Sequence, residues 1–346
     1  MGSKTYAFWN NKGGVGKSYL TFVASCEYAA RNPDSNIFVI DLCPQANASE
    51  TLLGGYDPDS KAINQLISAD PRKTVGGYLE ARLNSPFQKL DDVTPYVSLP
   101  HEFNKHIPKN LYLVAGDGLL EILAEPMRQA ASLSIPFNAW YQVVTWIRDL
   151  IASLATIDQT RDAVAFIDCN PSFAVYTQMA VAAADSIIVP FTGDDSSRRA
   201  IENVIGLLYG IGEKDIEKYA RISFSEKAKD QSLFLPKLDT FVSNRVTLYE
   251  GKPSKAFLAS SERIKKTVES AFNRSKRIFA DDIKDIDDLF VDVPDYHSAC
   301  IVSATSGLPL RAMKAGPHQL EGERVQINKD PLERYTKALD TFVSRL

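Results

Sequence analysis

Sulfur and imidazole are scarce in this chain, with four cysteines and four histidines among 346 residues. Cys26, Cys43, Cys169 and Cys300 stand far apart, and no two have C-x-x-C spacing. That excludes a disulfide framework and a zinc ribbon, leaves no matched pair of thiolates for an iron–sulfur cluster, and fits a reducing compartment. Long apolar runs are missing too. No stretch reaches the roughly 18 residues of a membrane span, and Met1 to Tyr6 carries no apolar leader, so the sequence predicts a cytoplasmic chain. Nor does one sign of charge dominate. With 39 basic and 43 acidic residues the net charge is −4, so any grip on a polyanion has to come from a local patch. Internal repeats, low-complexity tracts and long linkers are absent. What remains is an ordinary globular composition, 45% hydrophobic and 24% charged, long enough to bury a core unaided. The simplest division is a single domain over 1–346 with an insertion at about 54–110.

Apolar runs at Thr5–Trp9, Asn36–Ile40, Leu111–Val114, Ala163–Ile167, Ser186–Pro190, Leu238–Val242 and Phe290–Val293 read as buried strands. Helical patterns at Lys17–Ala30, Pro136–Ala155, Phe173–Ala184 and Pro331–Leu346 fall between or after them. Strands alternating with helices predict an α/β fold, a doubly wound and mostly parallel sheet flanked by helices. Residues 54–110 are richer in Pro, Gly and Asp and read as helices and loops over the sheet edge.

The segment Lys12-Gly13-Gly14-Val15-Gly16-Lys17-Ser18 lies between the first strand and the first helix. Its Gly-Lys-Ser end fits a phosphate-binding loop, although Asn11 stands where the general pattern has its first glycine. The glycines let backbone N–H groups turn toward phosphate oxygens, and the following helix adds its positive end. Lys17 would neutralise the β and γ phosphates, and the Ser18 hydroxyl would hold Mg²⁺.

The extra lysine, Lys12, makes the loop resemble the deviant Walker A loop of the ParA/MinD family. Other segments extend the resemblance: Asp41-Leu42-Cys43-Pro44-Gln45-Ala46-Asn47, Ile167-Asp168-Cys169-Asn170-Pro171-Ser172, Ala200-Ile201-Glu202, Val242-Ser243-Asn244-Arg245 and Val293-Pro294. The resemblance implies a P-loop (Rossmann-like) ATPase using ATP and Mg²⁺. Lys12 would reach the partner's phosphates in an ATP-bound homodimer, and Asp168 would be the Walker B acid. Tyr19, Asn244, Arg245 and Pro294 join Gly13, Gly14, Val15, Gly16, Lys17 and Ser18 as nucleotide-binding residues. Closest are the short partition proteins without a helix-turn-helix. They imply non-specific DNA binding, nucleoid association with ATP bound, a place for a ParB-like partner, cargo that is a plasmid, chromosome or protein assembly, and no stable membrane association.

One departure stands out. Cys43 occupies the position where the family has a second aspartate, which implies slow hydrolysis unless Asp41 substitutes; a packing substitution without kinetic effect is the alternative. Between 252 and 277, eight basic residues against two acidic ones give a local charge of +6. Lys265, Lys266, Arg274, Lys276 and Arg277 belong to this run, and Arg198 and Arg199 lie near the Ala200-Ile201-Glu202 segment. They form the candidate DNA-binding set. Pairing with the acidic run at 281–288 is the competing reading. Two other functions compete with the DNA switch: a MinD-like membrane switch using the apolar face of the last helix, and a nucleotide-gated scaffold with little turnover.

Overall fold

A computed structural model describes residues 3–212, 224–246, 248–249, 252–253, 255–281, 283–320 and 322–346, and only the backbone of 245, 248–249, 252–253 and 255–257. The chain begins with β1 (Ser3–Phe8), α1 (Lys17–Arg31) and β2 (Asn36–Leu42), then α2 (Asn47–Leu52), α3 (Lys61–Ile67), α4 (Val75–Asn84) and α5 (Pro100–Phe103). Next come β3 (Leu111–Val114), α6 (Leu119–Ala130), α7 (Ala139–Val144), α8 (Trp146–Leu154), β4 (Ala163–Cys169), α9 (Val175–Ala183), β5 (Ser186–Phe191) and α10 (Asp195–Tyr209). The remainder holds α11 (Phe224–Asp230), β6 (Lys237–Val246), the short β7 (Leu248–Tyr249) and β8 (Lys252–Pro253), α12 (Lys255–Arg274) and β9 (Phe290–Pro294). It ends with α13 (His297–Thr305), β10 (Gly316–Leu320), β11 (Glu323–Ile327) and α14 (Lys329–Val343).

Seven strands form one sheet in the order β3-β2-β4-β1-β5-β6-β9, and every pair in it is parallel. Helices cover both faces, so the inner strands are largely apolar, and every residue of β2, β4 and β5 is buried, Asp41, Asp168 and Ser186 included. One face packs α4, α6 to α9 and α10 to α12, the other α1, α13 and α14. Helix α12 shows why its sequence is helical: Ile264, Val268, Ala271 and Phe272 recur at helix spacing and are buried, while Lys266 and Arg274 point outward.

The seven expected strands are all present. The predicted helix over 136–155 is instead two, divided at Thr145, whose hydroxyl donates to the Tyr141 and Gln142 carbonyls and competes with the helical ladder. Helices α6 and α13 and the β10–β11 hairpin were not foreseen.

The C-terminal ends of β1, β4 and β2 meet in register. Phe8 lies opposite Asp168, and Asp168 opposite Asp41. From β1 the chain departs to β2 on one side, and it later crosses to β5 on the other, which makes this edge the switch point where doubly wound sheets bind ligands.

Candidate nucleotide-binding site and basic groove

The loop between β1 and α1 takes its shape from two residues in the left-handed region, Gly14 at φ 75° and Gly16 at φ 86°. A Cβ at Gly16 would also collide with the Asn244 side chain. Asn244, near the end of β6, donates its amide to the Val15 carbonyl at 2.8 Å and so clasps the loop from behind. Pro294 ends the neighbouring strand β9 and is paired with Val246. Thus Asn244 lies against the loop, and Pro294 stands one strand further out. The Arg245 side chain lies outside the described residues. The Tyr19 ring packs on Phe22 and Tyr296, with centroids 6.2 and 6.0 Å apart.

Lys17 is buried, and its ammonium donates to the Lys12 carbonyl at 3.2 Å. Burial lowers its pKa, while the negative field of Asp168, with Cys169 and Cys43, works the other way. Asp168 is fully buried, and neither carboxylate oxygen has a hydrogen-bond partner. Burial and the nearby Asp41 drive its pKa well above the carboxylate range, with the Ser18 hydroxyl and Lys17 opposing. A buried carboxylate with two free oxygens beside a lysine and a hydroxyl is costly unless a cation comes to it. An all-oxygen donor set of one carboxylate and one hydroxyl suits Mg²⁺, which takes its other ligands from water and phosphate.

Asp41 is different. Its Oδ1 accepts from the Cys43 N–H at 3.0 Å, and its Oδ2 accepts from the Ser49 N–H at 3.0 Å and hydroxyl at 2.7 Å. Ser49 Oγ in turn accepts from the Gly116 N–H at 2.9 Å. Asp41 therefore ties the loop after β2 to the segment after β3. Burial, against those hydrogen bonds, raises its pKa to about 6. The Cys43 thiol is buried and pushed up to about 12, first by desolvation and then by Asp41 and Asp168. It is a neutral thiol at physiological pH.

Lys12 reaches sideways to the start of α10. Its ammonium bonds Asp194 Oδ2 at 2.5 Å, Thr192 Oγ1 at 2.9 Å and Ser197 Oγ at 3.2 Å. Asn11 accepts from Asn203 of the same helix at 3.4 Å.

The DNA candidates divide. Arg199, Lys266 and Arg274 line one groove of about 590 Å³ between α10 and α12, with Asn203, Glu202 and Ser270. Arg198 is spent on Asp195 and Glu202, at 3.0 and 2.6 Å, and Lys265 on Asp287 at 2.8 Å. Lys276 lies over the Phe272 ring at 5.1 Å, and Lys276 and Arg277 are exposed just beyond α12. Among the described residues, the acidic run at 281–288 thus takes up Lys265.

Residues 3–218 match a family model described as an AAA domain. The chain belongs to that family. It is a P-loop protein of the ParA/MinD type. Among solved structures it is similar to apo McdA from Cyanothece, at 14% identity over 98% of this chain and 100% of that one, with a TM-score of 0.55. A putative plasmid partition protein from Borrelia burgdorferi, bound to AMPPNP, gives 16% identity, full coverage of both chains and a TM-score of 0.53. Protein DIP2308 from Corynebacterium diphtheriae gives 19% identity over 88% of this chain and 97% of that one, with a TM-score of 0.57. At such identities the likeness is one of fold. No curated protein matches the sequence.

Two features of this ParA/MinD-type site escaped sequence reasoning. Thr192, Asp194 and Ser197, the partners of Lys12, went unnoticed, although Asp-Asp-Ser-Ser two residues after a buried strand is a helix-capping signal at the binding edge of the sheet. The second is the proximity of two thiols. Cys43 and Cys169 sit at the ends of adjacent strands, close enough for each to be felt by Lys17. Both are buried and held as thiols.

Proposed function

We propose that this chain is an ATP-dependent dimerising switch that holds DNA non-specifically and positions cargo along it. The observation that carries the reading is a phosphate loop with a second lysine: Lys17 serves the loop it stands in, and Lys12 is left over for phosphates elsewhere. Support for nucleotide use comes from the Borrelia relative, which holds AMPPNP, and from an McdA variant described as an ATP complex.

In this reading the loop's N–H groups and Lys17 bind the β and γ phosphates, and Asn244 keeps the loop in shape. Ser18 and Asp168 would hold Mg²⁺, which would supply positive charge beside the phosphates. Neither Cys43 nor Asp41 stands ready as a base for the attacking water, because Cys43 is a neutral thiol and both oxygens of Asp41 are already bonded. Turnover is therefore slow. The groove lined by Arg199, Lys266 and Arg274 supplies phosphate contacts for DNA. The MinD-like alternative loses its device, since Leu332, Tyr335, Leu339, Phe342 and Val343 of α14 are buried against the sheet.

The test is oligomeric mass and retention on random-sequence DNA, each measured with ATP, ADP and no nucleotide. The expected result is a dimer retained on DNA with ATP alone. Lys12→Ala should keep ATP binding and lose the dimer. A monomer under all three conditions overturns the reading. A dimer that ignores DNA leaves instead a nucleotide-gated scaffold.

A further inference from the structure

An ammonium has three N–H donors, and all three of Lys12 are committed within its own chain. The acceptors are Asp194 Oδ2 at 2.5 Å, Thr192 Oγ1 at 2.9 Å and Ser197 Oγ at 3.2 Å. These three side chains come from the turn after β5 and the first residues of α10. Thr192 also donates to Asp194 Oδ2 at 2.7 Å, which orders the cradle before the lysine arrives.

We propose that Asp194 is a positioning residue that parks Lys12 in cis, so that the chain stays monomeric until a partner's phosphates draw the lysine away. This rests on the reading of Lys12 given above, and it adds a residue and a threshold to it.

The geometry suits a contact that opens and closes. Asp194 divides its oxygens: Oδ2 serves Lys12, while Oδ1 caps α10, accepting from the Ser197 N–H at 2.9 Å and the Ser196 hydroxyl at 2.7 Å. When Lys12 leaves, the carboxylate keeps its cap, its place at the positive end of α10 and its exposure to water, so no orphaned charge is buried. Lys12 is in the opposite position. It leaves three acceptors at once, and only an anion with several oxygens replaces them. A triphosphate does so; water alone gives no gain. With side chains 25% and 46% exposed, the pair is screened enough to break and close enough to hold.

The same contact reaches the basic groove. Asp194 caps α10, Asn203 of α10 donates to Asn11 beside Lys12, and Asn203, Glu202 and Arg199 line the groove. Release of Lys12 thus loosens the P-loop from the helix that presents Arg199.

The experiment uses the full chain and an ATP titration with dimer mass as readout. Asp194→Asn keeps a capping side chain and removes the counter-charge, so the melting temperature should hold while half-dimerisation shifts to about fivefold less ATP. On a Lys12→Ala background the same substitution should change nothing. An unshifted or raised ATP midpoint for Asp194→Asn, with ATP binding and melting temperature intact, overturns the proposal. If Lys12→Ala dimerises like the natural chain, the failure lies in the reading of Lys12 itself. If Lys12→Ala is monomeric and Asp194→Asn behaves like the natural chain, Asp194 alone has been misassigned.

Discussion

Asp168 carries the heaviest unbalanced demand of any side chain in the site, a fully buried carboxylate with two unpartnered oxygens. Its raised pKa fixes a sign. For an acid held above its unfolded value of about 4, the stability contribution is present below that value and is lost as pH rises through the folded one. Asp41, raised to about 6, acts in the same direction. Ligand-free protein should therefore lose stability from pH 5 to pH 8. Asp168→Asn should raise its melting temperature at pH 8 by about 2–4 °C and flatten the pH dependence. The same variant should lose the stabilisation that Mg²⁺-ATP gives. Thermal melts at the two pH values, with and without Mg²⁺-ATP, measure both effects; a lower melting temperature for the ligand-free variant at pH 8 contradicts the account. Cys43 gives a kinetic prediction. Cys43→Asp places a carboxylate where a neutral thiol stands, and steady-state ATP hydrolysis at pH 7.5 should rise about 10²-fold, the low end of the usual range for a positioned base. Equal rates would make Cys43 a packing residue.

Helices α1 and α14 show how an element is fixed by one buried charge. Glu27 of α1 is 3% exposed, yet it accepts from Arg31 Nε at 2.8 Å and Arg311 Nε at 2.9 Å. Arg31 also pairs with Asp340 of α14. Burial works against the Glu27 carboxylate, but the two arginines outweigh it and depress its pKa. The sign is the reverse of Asp168: stability from Glu27 is present above about pH 4 and is lost as pH falls through the folded value. Glu27→Gln should cost about 2 kcal/mol at pH 7, with a smaller difference near pH 3. Urea titrations at both pH values test this. On the same helix pair, Phe342 of α14 is fully buried, edge-on to Phe8 at 6.2 Å. Phe342→Ala should cost about 3–5 kcal/mol by denaturant unfolding, whereas the exposed Thr341→Ala should change little.

For the whole molecule, a net charge of −4 and a local basic groove make opposite statements about DNA. In the function proposed above, the bulk would repel DNA weakly and the groove would have to overcome that at short range. Reversing Arg199, Lys266 and Arg274 together to Glu should abolish ATP-dependent DNA retention while leaving the ATP-dependent dimer. Converting them to Ala should reduce the slope of log affinity against log salt by about 3, one for each phosphate contact removed. Reversing Lys265, which is already paired with Asp287, should matter much less. Filter binding at a series of salt concentrations reads all three, and an unchanged salt slope would place the DNA contact elsewhere.

The sequence alone determined the sheet and the nucleotide end of the site. Parallel strands buried on both faces must be apolar throughout, so β1 to β6 and β9 stood out as runs, and their order with the helices left few topologies. A phosphate loop is a local structure, carried by Gly14, Gly16, Lys17 and Ser18 within a few residues, and so it too was legible. Helix α6 was not, although Leu120, Leu123, Met127 and Ala130 recur at helix spacing, because Pro126 stands inside it and reads as a helix breaker. Long-range pairing decided the rest. That Asp41 is bonded through both oxygens follows from Ser49, which Gly116 holds in place from beyond the end of β3. That Lys12 meets Asp194 across 182 positions follows from β5 lying beside β1. That three of the described basic side chains share a groove follows from α10 packing on α12. Charge can be counted along a sequence, but which charges neutralise one another depends on distance, and distance is set by the fold.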